Sequence, residues 1–229
     1  MLLPSRIFPL VAMAGRRPSC FRLMATGESG YHVPVLCEET RDWLITDPAG
    51  TYADGTLGGG GHSAALLEVL APAGGHLIAV DRDPDALASA GARLAQHTEA
   101  GRCSLMRATF GSLGQALRDG GAAAPLDGLL LDLGVSSFQL DEPGRGFSYM
   151  RDGPLDMRMD AAADGALTAA QIVNEWPEAA LADVLWRHGE ERESRRLARA
   201  IGRARPLATT LELVAVLTKA GSRREPKEV

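Results

Sequence analysis

Three aspartates stand where short apolar runs end: Asp54 after TYA, Asp81 after HLIAV and Asp132 after GLLL. The first is followed by a glycine run, GTLGGGGH over 55–62, and then by residues at helical spacing. Glycines let a backbone turn tightly and approach a ligand where a Cβ would clash. An acid at the end of the second run can accept hydrogen bonds from two ribose hydroxyls. Run, glycine loop, helix, run, acid is the order of the first half of a nucleotide-binding α/β unit. A glycine run alone reads equally well as a flexible turn. Three acids at strand ends that face one crevice favour a site.

The elements that must position these residues follow from the spacing. A helix is expected over 38–44, then strands over 51–54, 76–81, 104–107 and 127–132, the last fully buried. Helices over 63–70, 84–96 and 113–118 separate them. Asp83 is placed as an N-cap, with Pro84 at the first helical position. Strands alternating with helices imply a parallel sheet with ligands at the strand C-terminal ends. Past Gln139 the pattern changes: 141–160 is rich in Gly, Pro, Asp, Met and Arg and reads as a long ordered loop. Helical spacing resumes over 169–174, 177–187, 191–203 and 210–219, with Thr168 and Thr210 as expected N-caps.

Bulk properties narrow the class. The chain has 229 residues, 45% apolar and 23% charged, as in soluble globular proteins. Its formal charge of −5 means that any nucleic-acid contact must come from a local basic patch. Cys20, Cys37 and Cys103 form no CxxC pair, so no zinc site, other metal site or disulfide framework is indicated. No apolar run approaches the ~18 residues of a membrane span. Residues 1–30 carry Arg6, Arg16, Arg17 and Arg22 and no acid before Glu28. That resembles an organellar transit peptide, giving a mitochondrial (matrix) address, with a plastid second.

Longer motifs carry a resemblance. DGTLGGGGH (54–62), AVDRDP (79–84), LDLGVSS (131–137), QLD (139–141) and RGFSYMRDGPLDMRMD (145–160) are similar to the RsmH (MraW) family. GEER (189–192) and RAI (199–201) fit too, and the resemblance covers roughly 31–218. It implies an S-adenosylmethionine-dependent enzyme that methylates N4 of a cytidine in small-subunit ribosomal RNA, free or in the assembling subunit. The implied fold is the Rossmann-like parallel sheet of class I methyltransferases, of α/β class, with an inserted helical domain. The organisation expected is a leader (1–30), a cofactor-binding α/β domain (31–140), a substrate loop and helical insertion (141–218) and a polar tail (219–229). The family continues with further sheet strands and an SFHSLEDR motif absent here, so the expectation is a truncated member lacking the last strands of the sheet.

The resemblance also assigns residues. Gly60, Gly61 and His62 bind the cofactor, Asp81 its ribose, Phe110 packs on adenine, and Asp132 and Gln139 complete the set. Without that match, His62 reads as a helix-start polar group, Asp81 as a helix N-terminal acid and Phe110 as core. The acceptor nitrogen is a weak nucleophile because its lone pair is delocalised into the ring. Asp132 is the best-placed carboxylate to take its N–H density, helped by Ser136 and Ser137. The Asp/Asn-Pro-Pro-aromatic motif of many amino-methyltransferases is absent after this strand. For RNA, Arg187, Arg192, Arg195, Arg196, Arg199, Arg203 and Arg205 read either as a phosphate-contacting surface or as a solvated face with i,i+4 ion pairs. Arg145, Arg151 and Arg158 are expected to position substrate, and Phe147 or Tyr149 to stack on an unstacked cytidine. Two other classes compete: a non-catalytic cofactor- or RNA-binding protein, and a nicotinamide-dependent dehydrogenase. The second is weakened by a loop that is not a clean GxGxxG.

Overall fold

The computed structural model describes residues 34–119, 125–161 and 165–221, in two compact units that divide at Leu133 and Gly134. The leader 1–30 and most of the tail 219–229 lie outside the described residues.

The first unit is an α/β fold around a four-stranded parallel sheet. Its strands are β1 (Thr51–Asp54), β2 (His76–Asp81), β3 (Cys103–Arg107) and β4 (Gly128–Leu130), in the order β3-β2-β1-β4. This is the expected Rossmann-like arrangement, with successive strands joined through helices. The helices are α1 (Cys37–Leu44), α2 (Gly61–Ala73), α3 (Pro84–Glu99) and α4 (Leu113–Asp119). Tyr52, Leu57, Leu66, Leu67, Leu70, Leu77, Ala90 and Leu94 form the buried core between the sheet and the α2–α3 layer. The Tyr52 hydroxyl accepts from the Thr46 and Asp47 amides and donates to the Asp47 carbonyl, fastening the turn that delivers β1.

Two local expectations are corrected. Helix α2 runs through Pro72 to Ala73 rather than stopping at 70, because Gly74 closes it in a left-handed conformation (φ 89°). Strand β4 is shorter than 127–132 and is not fully buried: Leu129 and Leu131 are 40% and 38% exposed. It pairs with β1 alone among the described residues and forms one edge of the sheet. An unbroken apolar run describes the strand but not the neighbours that would cover it.

The second unit is helical. It contains α5 (Ser137–Asp141), a 3-10 turn (Pro143–Arg145), α6 (Ala169–Glu175), α7 (Glu178–Arg187), α8 (Ser194–Ala204) and α9 (Thr210–Gly221). Leu155, Val173, Leu181, Ala198, Ile201 and Leu207 make its core. Thr168 caps α6 in a reciprocal box with Gln171. Thr210 does not cap α9. The amide of Glu212 donates to the Thr209 hydroxyl, and the Glu212 carboxylate accepts the Thr209 amide, so the cap lies one residue earlier. The Thr210 hydroxyl instead donates to the Arg151 carbonyl and accepts from the Gly153 amide, tying the 146–161 loop to α9. No described helix is long and apolar enough to cross a membrane.

Candidate functional site

The glycine loop of the first unit is strapped to the strands on both sides of it. The amide of Gly55 donates to the Leu130 carbonyl of β4 at 3.0 Å, and that of Leu57 to the Val80 carbonyl of β2 at 3.1 Å. The Gly58 amide then donates to Asp81 Oδ2 at 2.8 Å. The other Asp81 oxygen accepts the Asp83 amide at 3.0 Å, and Asp83 caps α3 by accepting from Asp85. One carboxylate thus fixes both the loop and the next helix start. Each oxygen keeps lone-pair capacity for a further donor.

Gly60, at φ 76°, is the N-cap of α2 in the left-handed region, and a Cβ there would meet the Ala90 Cβ at 3.1 Å. A Cβ on Gly61 would collide with the Pro34 ring. A Cβ on Gly59 would meet nothing within 4 Å among the described residues, which leave this face of the loop open. Helix α2 begins without a side-chain cap, which leaves its first amides available to an anionic ligand group. His62 sits in that first turn with its side chain 12% exposed. Its Nε2 is 3.7 Å from Asp132 Oδ2, and its Nδ1 is buried without a hydrogen-bond partner among the described residues.

The three strand-end acids differ in environment. Asp54 is completely buried and accepts from the Thr56 amide (3.0 Å) and the Ser63 hydroxyl (2.7 Å). Burial pushes its carboxyl above the usual value; the Ser63 hydroxyl, the Thr56 amide and His62 oppose that rise. Burial, with the Asp54 charge adding, pushes the nearby Cys103 thiol up to about 12, so it is inert. Asp132 is open, its side chain 69% exposed. The Ala108 amide donates to the Asp81 carbonyl and so carries β3 past that acid to Phe110, which is 60% exposed rather than in the core.

The first unit therefore gathers Gly60, Gly61, His62, Asp81 and Asp132 around one loop, with Phe110 at the exit of the neighbouring strand. Gln139 belongs to the second unit. It is buried, completes the cap of α5 with Ser136, and donates to the Met159 carbonyl. Thr56 and Ser63, which secure Asp54, escaped sequence reasoning, because a hydroxyl beside an acid at a strand end is common turn chemistry.

The sequence comparisons fit this geometry. The profile of the MraW methylase family matches residues 29–228. The chain belongs to the MraW methylase family. Among curated relatives of this MraW chain is the ribosomal RNA small subunit methyltransferase H of Heliobacterium mobile, 50% identical over 193 residues, which are 83% of this chain and 60% of that one. The protein of that name from Xanthomonas euvesicatoria is 48% identical over 201 residues, 86% of this chain and 56% of its own. The one from Acidiphilium cryptum is 51% identical over 189 residues, covering 81% and 58%. The chain thus spans somewhat more than half the length of the relatives it matches.

The MraW unit beyond Gly134 carries the arginines. Arg187 pairs with Asp183 (2.8 Å), Arg196 with Glu193 (3.2 Å) and Arg199 with Glu178 (3.5 Å). Arg205 donates to the Val173 and Trp176 carbonyls at the end of α6. Arg192, Arg195 and Arg203 are exposed. Arg145 is buried and donates to the carbonyls of Arg158 and Met159. Arg151 donates to the Asp141 carbonyl, and Arg158 grips Asp156, whose carboxyl is held below its usual value by that guanidinium. These three arginines build the 141–160 loop. Of the two stacking candidates, Tyr149 is 71% exposed and Phe147 half-buried.

Proposed function

We propose that this MraW-family chain binds S-adenosylmethionine at the 54–62 loop and transfers its methyl group to N4 of a cytidine in small-subunit ribosomal RNA. The loop strapped between β1, β2 and β4 carries this reading: it presents an open glycine face, uncapped helix amides and an orphaned, buried His62 Nδ1 at one place. The amides supply donors for a carboxylate, the glycine face supplies clearance, and the His62 nitrogen adds a polar group for an amino-acid moiety joined to a nucleoside. The small-subunit RNA substrate is supported by the names of the relatives.

When bound, S-adenosylmethionine supplies an electrophilic methyl on a sulfonium. The α2 amides hold its carboxylate, Asp81 accepts from the ribose hydroxyls, and the exposed Phe110 ring covers the adenine. Asp132 accepts N–H density from the exocyclic amine as that nitrogen loses conjugation and attacks. Arg192, Arg195 and Arg203 contact RNA phosphates, and Tyr149 stacks on the unstacked base. The arginine-bearing, acid-poor leader supports a mitochondrial matrix address, with a plastid second. A reporter fused to 1–30 that stays diffuse in the cytosol removes it.

Calorimetric titration with S-adenosylmethionine and with NAD, then methyl transfer to small-subunit RNA with nucleoside analysis, tests the reading. Binding of the first ligand alone and label in N4-methylcytidine are expected. Failure to bind S-adenosylmethionine, or label elsewhere, overturns it. The competing reading is a cofactor- or RNA-binding chain without transfer. Binding with no methyl transfer would support that instead.

A further inference from the structure

Strands β1 and β4 pair in register up to Asp54 and Leu130, and the Gly55 amide adds one more bond to the Leu130 carbonyl. Beyond that point the Leu57 amide donates to the Val80 carbonyl of β2 instead. The Asp132 amide still finds an acceptor: the Thr56 hydroxyl oxygen, at 2.8 Å. A side chain thus continues the pairing where the backbone has left. The hydroxyl also donates to Asp54 Oδ1, at 3.4 Å. That carboxylate is fully buried, and the Thr56 amide and Ser63 hydroxyl also donate to it. With Asp54 acting as acceptor throughout, the threonine lone pair is left for the Asp132 N–H.

We infer that Thr56 is a positioning residue: held by the buried Asp54, its hydroxyl fixes the backbone at Asp132 and so aims the Asp132 carboxylate. This rests on reading Asp132 as a site residue. The need for such a tether is visible locally, since the Asp132 side chain is 69% exposed and Leu133 beyond it is also open to solvent. Among the described residues the Asp132 carboxylate has one further contact, the His62 ring at 3.7 Å, and the Thr56 hydroxyl holds the backbone beneath it.

The test combines Thr56→Val, which keeps the shape and removes the acceptor, with Thr56→Ser, which keeps the acceptor. Thr56→Ala is the second hydroxyl-free variant should the valine disturb folding. Two quantities are measured: hydrogen exchange of the Asp132 amide, and calorimetric affinity for S-adenosylhomocysteine, with and without Asp132→Ala. Loss of one hydrogen bond should speed exchange at Asp132 roughly fivefold and weaken binding by a similar factor, with serine restoring both. In the Asp132→Ala background, Thr56→Val should weaken binding no further, because no carboxylate remains to be aimed. Unchanged exchange at Asp132, no rescue by serine, or an equal loss in both backgrounds overturns the inference. If the unaltered chain binds no S-adenosylhomocysteine, the proposed function fails, and the exchange measurement alone decides the role of Thr56.

Discussion

Asp54 and Asp81 end parallel strands and Asp132 lies two residues past one, and the three differ in chemical role. Asp54 is sealed in and ties Thr56 and Ser63. Asp81 faces the loop, and Asp132 faces solvent. Burial raises the Asp54 carboxyl above 3.8, its usual value, so the folded state binds that proton more tightly than the unfolded chain. Its contribution to stability is therefore full below about 3.8 and is lost as pH rises through the higher folded value. The stability difference between the unaltered protein and Asp54→Asn, followed by denaturant unfolding across that window, should fall with rising pH; a flat difference contradicts it. Asp81→Ala should weaken S-adenosylmethionine binding roughly ten- to hundredfold, as expected for hydrogen bonds to a charged acceptor. Calorimetry measures it. All three acids were legible as strand-end residues. Their burial was not, because burial depends on what packs above each strand end.

At the scale of elements, the turn from β1 into α2 is where local sequence and packing meet most tightly. Gly60 needs its left-handed backbone and has Ala90 against it, whereas Gly59 stands open. Gly60→Ala should therefore destabilise the first unit by about 1–2 kcal/mol. Gly59→Ala should leave the melting temperature nearly unchanged and still reduce cofactor affinity. Thermal melts paired with titrations separate the two effects. Thr209→Ala removes the α9 cap and should cost about 1 kcal/mol, read from a chemical unfolding curve. Most helices and strands could be placed from period and caps. The corrections fell at ends: α2 ran past its proline because Gly74 could close it, and the α9 cap moved by one residue because two threonines are adjacent. Strand β4 shows a different limit, since an apolar run is the same string at the centre of a sheet and at its edge.

Over the whole molecule, charge supplies the remaining test. Several arginines that looked like an RNA surface are held by Asp183, Glu193, Glu178 or the end of α6, leaving Arg192, Arg195 and Arg203 exposed. Replacing those three with alanine should weaken RNA binding and lower its salt dependence by about one unit of slope per lost phosphate contact. Filter binding across salt concentrations measures this, and an unchanged slope excludes them. The sequence by itself determined the family, the parallel α/β unit and the loop at its centre, because long motifs and apolar periodicity are written along the chain. Only the tertiary structure decided which acid is buried, which arginines are already paired, and that a threonine hydroxyl holds the backbone at Asp132. Those outcomes depend on residues distant in sequence, such as Thr56 and Asp132, meeting in space, and no local pattern records such a meeting.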